Sequence, residues 1–422
     1  ATALCAFSAL FAWYAPQARP HAAQAGLCAL ALVACLRLRE NGSLARYLVA
    51  GCCIGLALSA LHNGIVLLAP LAAAHVLRAR SRTWREAWKP ALALLPVALG
   101  LRIGYPYLFW KRDAQGPGLF GLVRPGADLI DTQGTQRLLA GLWDFEPWLL
   151  VLAIAALVCL LVSRERRRAV RASPTSESLL VLLAWALPYL LLFGLYQHST
   201  QRYNLPLVPL LCVLAARVAC SAGCAPALAL VALQAAGAWR LAELRTRPDT
   251  LAQAAQWVQR ELPPESSLWI LPSLVLPLWQ DPLTFEGGVP EHVPLWIDWQ
   301  AHHPPPPGEP WWKLIPLPIA APGALQRLRA DPPGFVDALG PGLVMVEVYD
   351  RPFARELMAG LRARGELLAR FSPAPAGEPS EKPFLPRDAH GEYDRDLCWL
   401  WRAFAVERFG SVVEVYRLGA RR

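Results

Sequence analysis

The chain has 422 residues, of which 55% are hydrophobic and 17% charged, with a formal net charge of +9 and a mean hydropathy of +0.30. That is too apolar for an ordinary soluble protein and too diluted by polar sequence for one lying wholly in a bilayer. A membrane portion joined to a water-soluble portion is therefore expected. The charge does not point to nucleic acid, because the basic residues fall in short blocks between apolar runs: Arg37, Arg39 and Arg46; Arg78, Arg80, Arg82, Arg85 and Lys89; Arg164, Arg166, Arg167, Arg168 and Arg171. Such blocks mark the cytoplasmic loops of a polytopic membrane protein.

The opening ATALCAFSALF is already inside an apolar run and has no basic leader, which reads as a chain truncated or processed ahead of Ala1. A span needs about 20 mostly apolar residues, fewer where the helix is broken. Runs of this kind cover Ala1–Tyr14, Ala22–Leu36, Tyr47–Leu61, Gly64–Leu77, Pro90–Phe109, Pro147–Val162, Leu179–Tyr196, Leu205–Cys220 and Ala225–Trp239. The sequence LHNG (Leu61–Gly64) reads as a tight hairpin or a helix break. With the basic blocks placed in the cytoplasm, Ala15–His21, Lys111–Glu146 and Gln197–Tyr203 become outer loops. Everything after Trp239 is then extracytoplasmic.

Residues 1–242 therefore read as an α-helical polytopic membrane bundle, and residues 243–422 as a small α/β extracytoplasmic domain. In the second part Asp249 can cap a helix over Pro248–Leu262, and Pro352–Arg364 has helical spacing. Ser267–Leu271, Leu343–Tyr349, Glu366–Phe371 and Ser411–Leu418 read as strands, separated by Pro-rich loops such as AHHPPPPGEPWW (Ala301–Trp312). The apolar-run cysteines Cys5, Cys28, Cys35, Cys52, Cys53, Cys159 and Cys212 lack metal-ligand spacing, and Cys220 and Cys224 lack a second pair, which argues against zinc.

The polar stretch YQHSTQRYNLPLVP (Tyr196–Pro209) interrupts two apolar runs. Arg202 at an outer surface either anchors to headgroups or donates a bidentate, charge-assisted pair to a phosphate, with Gln201 and Tyr203 as neighbouring donors. His62 and Asn63 at the LHNG break either satisfy freed backbone groups or line a cavity. Lys111 and Arg112, with Asp113, Asp128 and Asp131, suit either a solvated loop or a headgroup-facing cleft. GPGLFG (Gly116–Gly121) is not a dinucleotide fingerprint, because it contains Pro117 and lacks a βαβ setting. His302 and His303, with His292 upstream, read as loop residues beside four prolines.

QRYNLPLVPLLCVLAARV (Gln201–Val218) resembles the late-helix signature of the GT-C superfamily of membrane glycosyltransferases, in the branch of protein O-mannosyltransferases and the lipid A aminoarabinose transferase. YLVAGCCIGLALSALHNGIVLLAPLAAA (Tyr47–Ala74) is similar to that branch's Gly-rich helix, polar break and Pro-containing helix. DTLAQAAQWVQRELPPESSLWI (Asp249–Ile270) and GSVVEVYRL (Gly410–Leu418) resemble the extracytoplasmic domain of many bacterial members. The resemblance implies a GT-C-like, multi-pass protein of the bacterial inner membrane. Its implied chemistry is transfer of a sugar from a polyprenyl-phosphate donor to a lipid, glycan or protein acceptor at the outer face, with no nucleic-acid partner.

On this resemblance Arg202, Tyr203 and Gln201 hold the lipid phosphate, with His62, Asn63, Lys111 and Arg112 toward the cleft. The principal acid falls upstream of residue 1. A second acid is expected in YAPQARPHAAQ (Tyr14–Gln24), where this chain has His21 instead. A histidine can act as a base near neutral pH. A divalent metal is compatible with this chemistry, but no ligand set demands one. The competing expectation is a noncatalytic GT-C-like lipid-binding membrane protein, or a transporter, although no internal repeat of the transporter kind is present.

Overall fold

The computed structural model describes the chain except for residues 18–19, 80–85, 107–132, 163–173, 197–198, 272–273, 282–298, 301, 304, 349–351, 376–383, 385–398 and 420–422. It divides into two compact units, Ala1–Leu241 with Arg387–Leu400, and Ala242–Pro386 with Trp401–Arg422.

The first unit is helical: α1 (Thr2–Ala6), α2 (Ala9–Tyr14), α3 (His21–Glu40), α4 (Leu44–Ala60), α5 (Leu68–Ala79), α6 (Trp88–Gly104), α7 (Gln133–Phe145), α8 (Pro147–Val162), α9 (Pro174–Gly194), α10 (Val208–Ser221) and α11 (Cys224–Arg245). Among the described residues four helical stretches are long and apolar enough to cross a membrane: His21–Glu40, Glu177–Gly194, Gln201–Ser221 and one starting at Cys224. Among the described residues the apolar runs lie mainly in helices; residues 107–109, the end of the run beginning at Pro90, lie outside the described residues. Several helices are short: α5 has 12 residues and α8 has 16.

One stretch expected as an outer loop is helical. Within Lys111–Glu146, residues Gln133–Phe145 form α7, and α7 and α8 meet at an angle of 118°. Hydropathy conceals α7 because its polar residues alternate with Leu138, Leu142 and Phe145, which are buried on one side. Pro147 begins α8 directly after Glu146, and a proline is tolerated at the start of a helix where its missing N–H costs nothing.

Two 3₁₀ turns interrupt the bundle where polar residues interrupt the sequence, at His62–Leu67 and Gln201–Leu207. The first begins after Leu61, whose extended backbone ends α4, and the second contains Pro206. Helix α3 packs against α4, α5, α9 and both turns. Glycines set the closest helix pair. Gly51 and Gly55 of α4 face α6, and a Cβ on Gly100 would lie only 2.1 Å from the Gly55 carbonyl oxygen. Gly104 in turn abuts the backbone of Ser59. Two Gly-x-x-x-Gly stretches thus let these backbones approach, in a setting where van der Waals contact drives helix association.

In the second unit, α12 (Thr250–Glu261) is capped by Asp249, whose carboxylate accepts from Ala252 N at 2.7 Å. The rest comprises β1 (Ser267–Ile270), β2 (Lys313–Pro316), α13 (Ala324–Ala330), α14 (Pro332–Asp337), β3 (Gly342–Val348), α15 (Pro352–Arg364), β4 (Gly365–Phe371) and β5 (Val412–Leu418). The sheet order is β2-β1-β3-β5-β4. β1 is parallel to both β2 and β3, and β5 is antiparallel to both β3 and β4. Buried Val344, Val346, Val413, Val415 and Leu268 form its core. The strands expected from sequence are present. β2 is an addition, and its Pro316 is accommodated because β2 lies at the sheet edge.

Candidate functional site

Polar residues from both helix breaks meet the first turn of α3. His21 and Gln24 are three residues apart and so share one helix face. His21 meets Tyr203 edge to face, with ring centroids 5.8 Å apart. Gln24 is buried and its amide donates to the Asn63 side-chain oxygen. One helical turn therefore joins both breaks, which lie about 40 and 180 residues away along the chain. His21, expected in an exposed loop, is instead half-buried at the start of a helix.

Tyr203 is held on several sides. Its ring stacks on Phe193 at 4.4 Å, meets Tyr196 edge-on at 6.3 Å, and has the Arg202 guanidinium carbon 5.5 Å from its centroid. Its carbonyl accepts from the Tyr189 hydroxyl at 2.9 Å. This packing is the local reason that Arg202 has a defined direction: a guanidinium over an aromatic face gains about 0.5–1 kcal/mol at exposed sites, and more when desolvated.

Around Arg202 the hydrogen-bonding inventory is incomplete. Thr200 Oγ1, Gln201 Oε1, Arg202 Nε and Asn204 Oδ1 are buried without a hydrogen-bond partner among the described residues. Gln201 and Asn204 are 5% and 0% exposed. Asn204 Nδ2 donates to Leu138 O at 3.0 Å, so only one end of that amide is used. An unmatched buried polar group costs about 1–3 kcal/mol, and a site carrying several is improved by a polar ligand or by water. Gly141 of α7 permits this approach, because its Cβ would lie 2.8 Å from Asn204 Nδ2 and 3.0 Å from Gln201 Cγ.

The two residues of the LHNG break part company. Asn63 is buried against Gln24, whereas His62 is exposed and its ring lies 6.1 Å from that of Tyr105, just beyond α6. Lys111 and Arg112 lie outside the described residues, as do Asp113, Asp128, Asp131, Gly116–Gly121, His198 and His292. Among the described residues no group of three or more His, Cys, Asp or Glu is placed to hold a metal. His303 stacks on Trp299 at 4.6 Å, with its Nδ1 2.8 Å from the Trp299 carbonyl oxygen.

A second polar centre was not legible as a site. Glu146, at the vertex between α7 and α8, is 0% exposed. Its carboxylate accepts from the Ser8 hydroxyl, from Leu10 N at 3.0 Å and from Gln234 Nε2 at 2.7 Å. Ser8 also caps α2, accepting from Phe11 N at 3.2 Å. The available signal was weak: a single Ser in AFSALF and a single Gln in LVALQAAG, both inside apolar runs. With all its partners in the protein and no exposure, this centre fastens α2, the α7–α8 bend and α11 together.

The second unit contains a comparable arrangement on β5. Glu414, 1% exposed, accepts from the Tyr416 hydroxyl at 2.6 Å and pairs with Arg370 at 3.6 Å and Arg362 at 3.9 Å. Burial, and then the neighbouring Glu414, push the Tyr416 phenol up to about 12. The network satisfies a buried carboxylate on a central strand.

No family model, no curated protein and no solved structure matches the chain. What defines it is a helical bundle with apolar helices long enough to cross a membrane, a polar cluster at two helix breaks, and a small mixed-sheet unit.

Proposed function

We propose that this protein is an integral-membrane glycosyltransferase of the GT-C type, which moves a sugar from a polyprenyl-phosphate donor to an acceptor at the extracytoplasmic face of a bacterial inner membrane. The observation that carries this reading is the Arg202–Tyr203 pair at a helix break, surrounded by buried polar atoms that lack partners among the described residues. A guanidinium fixed over an aromatic ring suits the phosphate of a lipid-linked sugar, where it stabilises charge on the departing phosphate. The lipid tail of the donor can lie along the apolar helices beside the break.

In this reading His21, held against Tyr203, stands where a base would take the acceptor proton. Gln24 and Asn63 order the adjoining wall. Arg202 binds, His21 accepts the proton, and the buried amides of Gln201 and Asn204 orient polar groups of the sugar.

The test is transfer of radiolabelled sugar from polyprenyl-phosphate donors by the full chain in liposomes, beside Arg202→Ala and His21→Ala variants of unchanged thermal stability. Arg202→Ala is expected to lower donor binding and transfer together, by about 10- to 100-fold. His21→Ala is expected to lower transfer while leaving donor binding intact. Binding of polyprenyl phosphate without transfer from any donor would replace this reading with a noncatalytic lipid-binding protein. That second reading draws on the site itself, whose converging side chains among the described residues include a histidine but no carboxylate. Absence of both binding and transfer would overturn the two together.

A further inference from the structure

Cations from three helices gather on the turn between α3 and α4. The Arg78 side chain, from the last turn of α5, crosses the buried Gly42, where a Cβ would lie 3.2 Å from both its Cγ and its Nε. Lys89, from the first turn of α6, donates to the Gly42 carbonyl at 3.4 Å. Arg46, from the first turn of α4, donates to the Arg37 carbonyl in the last turn of α3. Arg37, Arg39, Arg46, Arg78 and Lys89 outnumber the carboxylates of Glu40, Glu86 and Glu177. Glu86 takes Lys89 at 3.1 Å and Glu177 takes Arg39 at 3.6 Å. Arg37 and Arg78 are exposed, and neither guanidinium has a hydrogen bond or ion pair among the described residues. The surface adjoining these cations is apolar, with Leu48, Val76 and Trp88 exposed on α4, α5 and α6. The Lys89 ammonium stands 5.9 Å from the centroid of the Trp88 ring, a pairing suited to a membrane–water boundary.

We infer that this turn is a binding site for the headgroup of an anionic phospholipid. Arg78 holds the phosphate, Arg37, Arg46 and Lys89 surround it with positive charge, and the acyl chains lie against Leu48 and Val76. A guanidinium fork fits phosphate oxygens in pairs, and a basic pocket between membrane helices draws an anionic headgroup from its leaflet. The apolar flank decides between a lipid and a soluble phosphate, because only the lipid has chains to lay on it. Gly42 sets the geometry, since the absence of a side chain lets Arg78 lie across the turn. The site is separate from the Arg202 cluster: α3 meets that cluster at its first turn and this one at its last, about 30 Å away along 20 residues. It does not depend on the chemistry proposed for Arg202.

The test mixes the full chain in detergent with equal amounts of phosphatidylglycerol and phosphatidylcholine of matched acyl chains, and counts the retained lipids by native mass spectrometry. Phosphatidylglycerol is expected to be retained preferentially, with the preference lowered about 5-fold by Arg78→Gln. Arg217→Gln, which removes an exposed cation of α10, is expected to leave the preference unchanged. Equal retention of the two lipids by the wild-type chain would overturn the inference, and this result needs no variant to fold. An unchanged preference in Arg78→Gln would overturn it as well, and so would an equal fall in Arg217→Gln, which would assign the preference to overall charge. Glycerol 3-phosphate at the concentration of the lipid is expected not to displace phosphatidylglycerol. Displacement would make the cluster a site for a soluble phosphate ester instead of a lipid.

Discussion

The Arg202 guanidinium lies 5.5 Å from the centre of the Tyr203 ring, and Tyr203 in turn stacks on Phe193 at 4.4 Å. A cation is thereby held at a helix break by an aromatic ladder, with its Nε buried and without a hydrogen-bond partner among the described residues. A planar fork and a point charge behave differently in such a place. Arg202→Lys keeps the charge but not the two-pronged donor geometry, and is expected to weaken polyprenyl-phosphate binding about 10-fold. Tyr203→Leu removes the support and is expected to weaken it by a smaller factor, about 2- to 5-fold. Equilibrium binding of a labelled lipid phosphate to purified protein measures both, and equal affinity of Arg202→Lys and wild type would contradict the bidentate role.

Glu146 gathers donors from Ser8, Leu10 and Gln234 without any exposure to solvent. Glu146→Leu leaves these donors unmatched and is expected to destabilise the protein by about 3 kcal/mol or more. Gln234→Leu removes one donor and leaves the others, so a loss nearer ~1 kcal/mol is expected. Thermal unfolding in a single detergent ranks them; a Glu146→Leu protein as stable as wild type would show that the centre is dispensable.

The α4–α6 contact predicts a sharp dependence on side-chain size. At Gly100 even a methyl group would meet the Gly55 carbonyl oxygen at 2.1 Å, so Gly100→Ala is expected to force the helices apart and cost about 1–3 kcal/mol. Gly26→Ala is the control, because nothing lies within 4 Å of its Cβ position, and alanine favours the helix by about 1 kcal/mol. Unfolding midpoints of the two variants should move in opposite directions.

Tyr416 supplies a pH-dependent term in the sheet unit. Its pKa is raised from 10.0 to about 12, first by burial and then by Glu414. A raised pKa means that the folded state favours the neutral phenol. The resulting stability is fully present below the unfolded value near pH 10 and is lost as pH rises through about 12. Ultraviolet titration of tyrosinate should show a late-ionising residue that disappears in Tyr416→Phe. If the late step persists in that variant, the assignment to Tyr416 is wrong.

The apolar runs, the polar breaks near Asn63 and Arg202, the Asp249 cap and the strands around Val344 and Val415 were legible in the sequence. Each depends on local composition, or on a periodicity that a short window contains. Helix α7 escaped because its apolar residues occupy one face and average out over a window. β2 escaped because a four-residue strand ending in Pro316 has little pattern of its own and is specified by pairing with β1.

The sequence by itself determined which segments leave water, where their helices break, and that an α/β unit follows them, because transfer free energies and turn chemistry are properties of neighbouring residues. Only the tertiary structure decided that His21 meets Tyr203, that Gln24 reaches Asn63, and that Glu146 is fastened to Ser8 and Gln234. Those relationships join residues far apart in the chain. They arise from the packing of whole helices, set by close approaches such as Gly55 against Gly100, which no window of sequence contains.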